Sequence, residues 1–272
     1  MKVLKFGGGC LKDADSIKKL PSILKKYDED IIIVISSFGK LTNLLEDILS
    51  KNPVNFNPLK EVFKQIMYDL SFDEKKISQV LNATQPVDSS DAAILSIGEL
   101  MSSQILSHYL SKHFINHTLV NAIDIIKTSN MGINASVHWE ETHYEAKRLI
   151  NQDNCKTILT QGFISSFSKN EKFQITCLGR EGSDYSAAIL GHVFDAKEVV
   201  LFKDVDGIYS SDPKKKPTAT LFHHLTYDDA FELCKNRNTV IHPKTMEPLK
   251  EKSIPLVIKN FNNLSAPGTL IS

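Results

Sequence analysis

Residues Ile31-Ile32-Ile33-Val34-Ile35 form an unbroken run of β-branched aliphatic side chains. Successive side chains of a strand point to opposite faces, so a strand with no polar position needs cover on both sides. Other apolar runs of strand length are residues 2–6, Thr118 to Ala122, Thr157 to Thr160, Phe173 to Leu178, Val199 to Phe202 and Pro255 to Ile258. Segments of helical period lie between them: Ser16 to Lys26, Leu41 to Lys51, Asp91 to His113, Glu140 to Asn151, Asp184 to Phe194 and Tyr227 to Lys235. Thr226 with Asp229 reads as a variant capping box, and Asp88-Ser89-Ser90-Asp91 supplies N-cap side chains for the longest helix. This alternation predicts an α/β fold, a three-layer α/β/α sandwich with a mainly parallel central sheet.

The 272 residues are enough for one sizeable core. Two polar, proline-containing stretches, Asn52 to Asn57 and Asp212 to Pro217, read as loops rather than domain boundaries. The expectation is a single domain over 1–272, with one lobe over about 1–165 and a second over about 166–272. Thirty-two basic residues balance 32 acidic ones, which gives no reason to expect nucleic acid or a membrane surface as partner. Cys10, Cys155, Cys177 and Cys234 form no CxxC pair, so neither a zinc site nor a disulfide framework is expected. The pairs His113/His117 and His223/His224 lack supporting carboxylate or cysteine clusters, so no protein metal site is expected. The N-terminus enters a strand at once, without an apolar leader, and the expected location is cytoplasmic.

Four segments carry candidate chemistry. Lys5-Phe6-Gly7-Gly8-Gly9-Cys10 follows the first strand; three glycines free the backbone for positive φ and close approach to an anion, and Lys5 adds a point charge. Read alone, it is equally a tight strand–helix turn. Ser36-Ser37-Phe38-Gly39-Lys40-Leu41-Thr42-Asn43 ends the aliphatic strand in hydroxyls, where parallel sheets bind small ligands, although Thr42 alone reads as an N-cap. Gly179-Arg180-Glu181-Gly182-Ser183-Asp184 leads into a helix, where an N-terminus and an arginine suit an anion, or where Ser183 or Asp184 is merely a cap. The run from Lys203 through Asp204, Asp206-Gly207 and Tyr209 to Lys214 holds carboxylates, a tyrosine and bases, and alone reads as a β-turn.

In this order these segments resemble the amino-acid kinases, and most closely the aspartokinases. Further matches are Gly98-Glu99-Leu100-Met101-Ser102, Thr160-Gln161-Gly162-Phe163-Ile164, Ile241-His242-Pro243 and Ala266-Pro267-Gly268-Thr269-Leu270, so the likeness covers nearly the whole chain. The resemblance implies ATP-dependent phosphorylation of the β-carboxylate of L-aspartate, with Mg²⁺, as the first step towards lysine, threonine and methionine. It implies that Lys5 holds the transferring phosphoryl group with Gly7, Gly8 and Gly9 around it. Ser36, Thr42, Glu99 and Arg180 would hold aspartate, Glu99 towards its ammonium and Arg180 towards its α-carboxylate. Ser183 and Asp184 would organise the reaction centre, with Lys5, Arg180 and Asp184 as its catalytic set. Lys203, Asp204, Tyr209 and Lys214 would line the nucleotide side. A carboxylate is already nucleophilic at neutral pH, so the chemistry asks for charge neutralisation and alignment rather than a general base. A homodimer is left open by the resemblance.

The sequence departs from the family pattern at four places. Gly9-Cys10 stands where hydroxyl residues are expected, Glu181 replaces a glycine and is expected at negative φ, Thr239 stands in place of a lysine, and Lys203 replaces a threonine. Lys203 is expected to restore the charge missing at Thr239. The chain ends at Ser272, without the ACT regulatory domains that most aspartokinases carry, so the expectation is a catalytic domain alone. Two other readings stand beside an active aspartokinase: an impaired homologue with a binding or regulatory role, and a kinase for a different amino acid or carboxylate.

Overall fold

A computed structural model describes residues 1–51, 53–83, 85–150, 156–169, 172–235 and 240–272. The first half of the chain runs β1 (Lys2–Phe6), α1 (Ala14–Ile17), α2 (Leu20–Leu24), β2 (Ile31–Ile35), α3 (Leu41–Leu49), α4 (Asn57–Asp69), α5 (Glu74–Ala83), α6 (Asp91–Lys112), β3 (Thr118–Leu119), α7 (Ala122–Ile125) and α8 (Trp139–Ile150). It continues with β4 (Thr157–Gln161), β5 (Ile164–Lys169), β6 (Lys172–Cys177), α9 (Gly182–Val193), β7 (Val199–Lys203), β8 (His224–Leu225), α10 (Tyr227–Lys235), α11 (Pro243–Glu251), β9 (Leu256–Asn260) and β10 (Thr269–Ile271).

The main sheet has eight strands in the order β3-β4-β2-β1-β7-β9-β10-β8, and all neighbours are parallel except β9 and β10. The aliphatic run of β2 has both faces covered, as its composition requires. Ile31, Ile33 and Ile35 join Leu4, Phe6 and Phe202 in a core against α3 to α6, while Ile32 and Val34 join Val3, Leu201 and Ile258 against α9 and α11. β2 and β7 flank β1 on opposite sides, so the chain winds outward in both directions from β1. A switch of this kind opens a crevice beyond the carboxyl ends of the strands. Under that crevice Phe6 stacks on Phe202 with ring centroids 4.6 Å apart, and Phe261 meets Phe6 edge-on at 6.1 Å.

Several expectations shift. The helix expected over Ser16 to Lys26 is two short ones, because Pro21 lacks an N–H and fits only the first turn of α2. Only Thr118 and Leu119 of the expected 118–122 strand pair, at the sheet edge against β4. The strand expected over Phe173 to Leu178 stands outside the main sheet, as β6 in an antiparallel pair with β5. Helices α4 and α5 occupy a stretch for which the sequence reading gives no element, although Leu59, Phe63, Ile66 and Met67 are buried at helical spacing. Asn52, Asn151 and Cys155 lie outside the described residues. Both predicted caps form: Ser90 Oγ accepts the Ala93 N–H at 3.3 Å, and Thr226 Oγ1 accepts the Asp229 N–H at 3.1 Å. Each contributes about 1 kcal/mol.

Candidate active site

The site begins with two lysines at the ends of adjacent strands. Lys5 pairs with Leu201 across the β1–β7 ladder, so Lys203, two residues further along, shares its face of the sheet, towards α9. Asp184 lies in the first turn of α9 and is 1% exposed. Lys5 Nζ is 2.6 Å from Asp184 Oδ1, and Lys203 Nζ donates to Asp184 Oδ2 at 2.5 Å. Burial would raise the Asp184 carboxyl, but the charges of Lys5 and then Lys203 outweigh it and hold the group well below its ordinary value. Burial likewise works against the Lys203 ammonium, and Asp184 more than compensates.

The glycine loop works by close approach rather than by positive φ. None of Gly7, Gly8 and Gly9 lies in the left-handed region, contrary to the expectation from sequence. A Cβ on Gly8 would stand 2.5 Å from the Gly39 carbonyl oxygen and 2.8 Å from that of Ser37, so only glycine lets the two loops meet. A Cβ on Gly7 would stand 3.0 Å from Lys5 Nζ, whereas one on Gly9 meets nothing nearer than Asp204 Cγ at 4.0 Å. The Cys10 thiol is buried and donates to the Phe202 carbonyl at 3.2 Å; burial pushes it up to about 11, so it is a packed thiol rather than a reactive one.

A cavity of about 600 Å³ opens beside these groups, and Lys5, Gly8, Gly9, Ser36, Thr42, Glu99, Arg180, Ser183 and Asp184 all line it. Segments distant in sequence thus converge on one cavity. Thr42 is not the N-cap of α3, which is Lys40, and it sits in the first turn beside Asn43 and one turn before Glu46, which also face the cavity. Ser183 and Asp184 are not caps either, because α9 starts from Glu181 without a side-chain cap. The sequence reading omits Ile133, Asn134 and Phe163, which complete the wall; no local signal marks the first two, and Phe163 falls in a quoted motif.

Glu99 contrasts with Asp184. It projects from the middle of α6, is 2% exposed, and its Oε1 accepts the Ser37 N–H at 3.3 Å. Its Oε2 and the neighbouring Ser37 Oγ have no hydrogen-bond partner. Burial raises the Glu99 carboxyl to about 8, against the opposing pull of the Ser37 N–H and the more distant Lys5 charge. A buried acid with one oxygen unsatisfied on a cavity wall is suited to receive a cation. Arg180, at the exposed rim, makes no ion pair or hydrogen bond among the described residues, which leaves its fork open to an anion.

Other predicted residues stand apart. Asp204 borders a second cavity of about 460 Å³, which meets the first at Gly8, Gly9 and Gly39. Tyr209 Oη donates to Asp206 Oδ2 at 3.4 Å, and Lys214 is exposed on its loop; neither lines either cavity. Thr239 lies outside the described residues. Glu181 contradicts the expectation of negative φ: it adopts φ +56°, ψ +22°, a left-handed conformation that favours glycine. Glu181 also lines the first cavity, and its partly exposed carboxylate has Oε2 3.8 Å from Lys203 Nζ.

Comparison with known proteins identifies the family and the fold. The profile of the amino acid kinase family matches residues 1–260. The bifunctional aspartokinase/homoserine dehydrogenase of Buchnera aphidicola is 32% identical over 302 aligned positions, covering 100% of this chain and 36% of that protein. Aspartokinase 1, chloroplastic, of Arabidopsis thaliana is 30% identical, over 99% of this chain and 52% of its own length. The chain therefore spans between a third and about half of these curated relatives. In fold it matches the structure of E. coli aspartokinase III in complex with aspartate and ADP, with a TM-score of 0.86 at 24% identity, over 100% of this chain and 64% of the other. The chain belongs to the amino acid kinase family.

Proposed function

We propose that this chain is an aspartate kinase catalytic domain, transferring the γ-phosphoryl group of ATP to the β-carboxylate of L-aspartate to give 4-phospho-L-aspartate. The observation that carries the reading is the pairing, in one cavity, of a buried carboxyl with a free oxygen, Glu99, and an open guanidinium, Arg180. An α-amino acid presents the two complementary charges. Glu99 takes the ammonium, Arg180 the α-carboxylate, and Ser36 and Thr42 supply hydroxyls along the wall. The side-chain carboxylate is then directed towards Lys5 and Asp184. The aspartokinase relatives and the fold match to an aspartate and ADP complex support this choice of substrate. As an aspartate kinase the chain would open the route to lysine, threonine and methionine.

The reaction needs charge screening between two anions, in-line alignment and exclusion of water. Lys5 neutralises the transferring phosphoryl group, Gly7, Gly8 and Gly9 bring backbone close to it, and Asp184 and Ser183 fix the geometry. Asp204, Tyr209 and Lys214 belong to the nucleotide side in this reading. Asp204 borders the second cavity and Tyr209 and Lys214 line neither, which accords with a nucleotide that extends away from the first cavity. Among the described residues no group of three or more His, Cys, Asp and Glu side chains could hold a metal. Mg²⁺ brought with the nucleotide would supply charge neutralisation at the phosphates. Residues about 1–165 and about 166–272 are read as amino-acid and nucleotide lobes, although Arg180, Ser183 and Asp184 reach across that division. Among the described residues no helix is long and apolar enough to cross a membrane.

The test is hydroxamate trapping with ATP, Mg²⁺ and a panel of amino acids. Aspartyl hydroxamate is the expected product. Another acyl hydroxamate would move the substrate, and absence of turnover with retained nucleotide binding would favour a regulatory homologue.

A further inference from the structure

A third cavity lies apart from the proposed chemistry. On the sheet face that carries Leu4, Phe6 and Ile33, helices α3 to α6 cover β1 and β2. Val200 and Phe202 of β7 and Val257 of β9 point to the same face, but the cover there thins to Ile23 of α2 and Leu264 beyond β9. The gap is a cavity of about 430 Å³, within the range of about 300–1,000 Å³ usual for small-molecule sites. It shares no lining residue with the two cavities described above. Val257 and Leu264 stay partly exposed on its wall, so apolar surface is left in contact with water.

Around this apolar floor the lining is basic. Lys2, Lys26 and Lys259 all border the cavity. Lys259 pairs with Phe202 across the β7–β9 ladder and lies two residues beyond Val257, so its stem rises from the same face as the floor. The Lys2 ammonium is already taken, 3.2 Å from Glu29 Oε1 and 3.3 Å from Glu198 Oε2. The side chains of Lys26 and Lys259 make no ion pair or hydrogen bond among the described residues, and the Tyr27 hydroxyl on the same wall makes no hydrogen bond. Among the groups that line the cavity or pair with one that does, three lysines stand against Glu29 and Glu198, which leaves one positive charge. A single carboxylate balances that charge, a phosphate dianion exceeds it, and an amine is repelled.

We propose that this cavity binds a small amphipathic monocarboxylate, its apolar body seated on Val200, Phe202, Val257 and Leu264 and its carboxylate held by Lys26 and Lys259, with the Tyr27 hydroxyl as a further donor. The floor supplies the affinity for the body through burial, and the two free ammonium groups select the sign of the head group. The site does not depend on the kinase reading, because none of its residues belongs to the candidate active site.

The probe is octanoate, titrated calorimetrically into the parent chain, with octylamine as the charge-reversed control and acetate as the head group alone. Saturable one-to-one binding of octanoate is expected, with octylamine and acetate weaker by about tenfold or more. The double variant Lys26→Gln, Lys259→Gln is expected to weaken octanoate about tenfold, and Val257→Asn about fivefold. These side chains are exposed or half-buried, so both variants should fold, and octanoate should raise the melting temperature of the parent more than that of either. Saturating ATP and aspartate should leave the octanoate affinity within about twofold, since the sites share no residue. Lack of saturable octanoate binding would overturn the proposal, as would equal binding of octylamine or undiminished binding by the double lysine variant. Competition by ATP or aspartate would do the same, because it would place the carboxylate in the first cavity.

Discussion

Glu99 and Asp184 are two buried acids on the wall of one cavity, and their surroundings give them opposite charge states. Asp184 has a lysine on each oxygen and stays ionised. Glu99 has one backbone N–H, no ion pair and an unsatisfied oxygen, and burial lifts it to about 8. The first acid has its cations built into the fold; the second waits for one from outside. The comparison separates the two halves of the site, because a finished electrostatic cluster suits positioning while an unfinished one suits binding.

Removing each acid tests the difference. Asp184→Ala leaves two lysines facing each other in a buried setting, and is expected to cost about 3–5 kcal/mol in denaturant unfolding and to abolish turnover. Glu99→Gln should leave stability within about 1 kcal/mol, since the acid is already neutral, yet raise KM for aspartate about 30- to 100-fold through loss of a buried charge pair. If both variants lose stability equally, the contrast between the acids is wrong.

The same contrast appears in pH dependence. Glu99 binds its proton more tightly when folded than when unfolded, so its contribution to stability falls as pH rises from about 4.5 to about 8 and is constant above that. Asp184 behaves in the opposite sense: its depressed value gives stability present above the ordinary aspartate range and lost as acid titrates the ion pairs. For binding, an ionised Glu99 is needed, so KM for aspartate should fall about tenfold per pH unit between pH 6 and 8 and level off above. A pH-independent KM over that range in the parent enzyme would remove the waiting-acid interpretation.

The smallest effect concerns Glu181, held at φ +56° where glycine is at ease. Glu181→Gly should stabilise the fold by about 1 kcal/mol, since it relieves left-handed strain and removes only a largely exposed 3.8 Å contact. Destabilisation in thermal melts would mean that the contact with Lys203 outweighs the backbone cost.

The sheet was legible in the sequence because β2 is aliphatic at every position and a strand of that kind has few homes. Lys5 and Ser36 stand at the carboxyl ends of β1 and β2, where parallel strands meet ligands, whereas Thr42, in the first turn of α3, reads alone as an N-cap and was singled out only by the resemblance. Glu99 was not legible from periodicity. Helix α6 buries residues around most of its circumference, from Ala92 to Leu110, so a polar position carries no facing information. Only the resemblance pointed to it. The left-handed turn at Glu181 was hidden because its φ is imposed by the Gly179–Gly182 turn and the docking of α9, and Glu is not a residue that announces it. Helix α4 carried a readable pattern in Leu59, Phe63, Ile66 and Met67, beginning at Asn57-Pro58, and reading its start as the end of a loop obscured it.

The most direct test of the account is the number of protons exchanged when aspartate binds, measured by titration calorimetry at pH 7 in two buffers of different ionisation enthalpy. A neutral Glu99 that ionises to meet the substrate ammonium predicts release of about one proton, and release of none by Glu99→Gln. Binding of aspartate to the parent without proton release would contradict it.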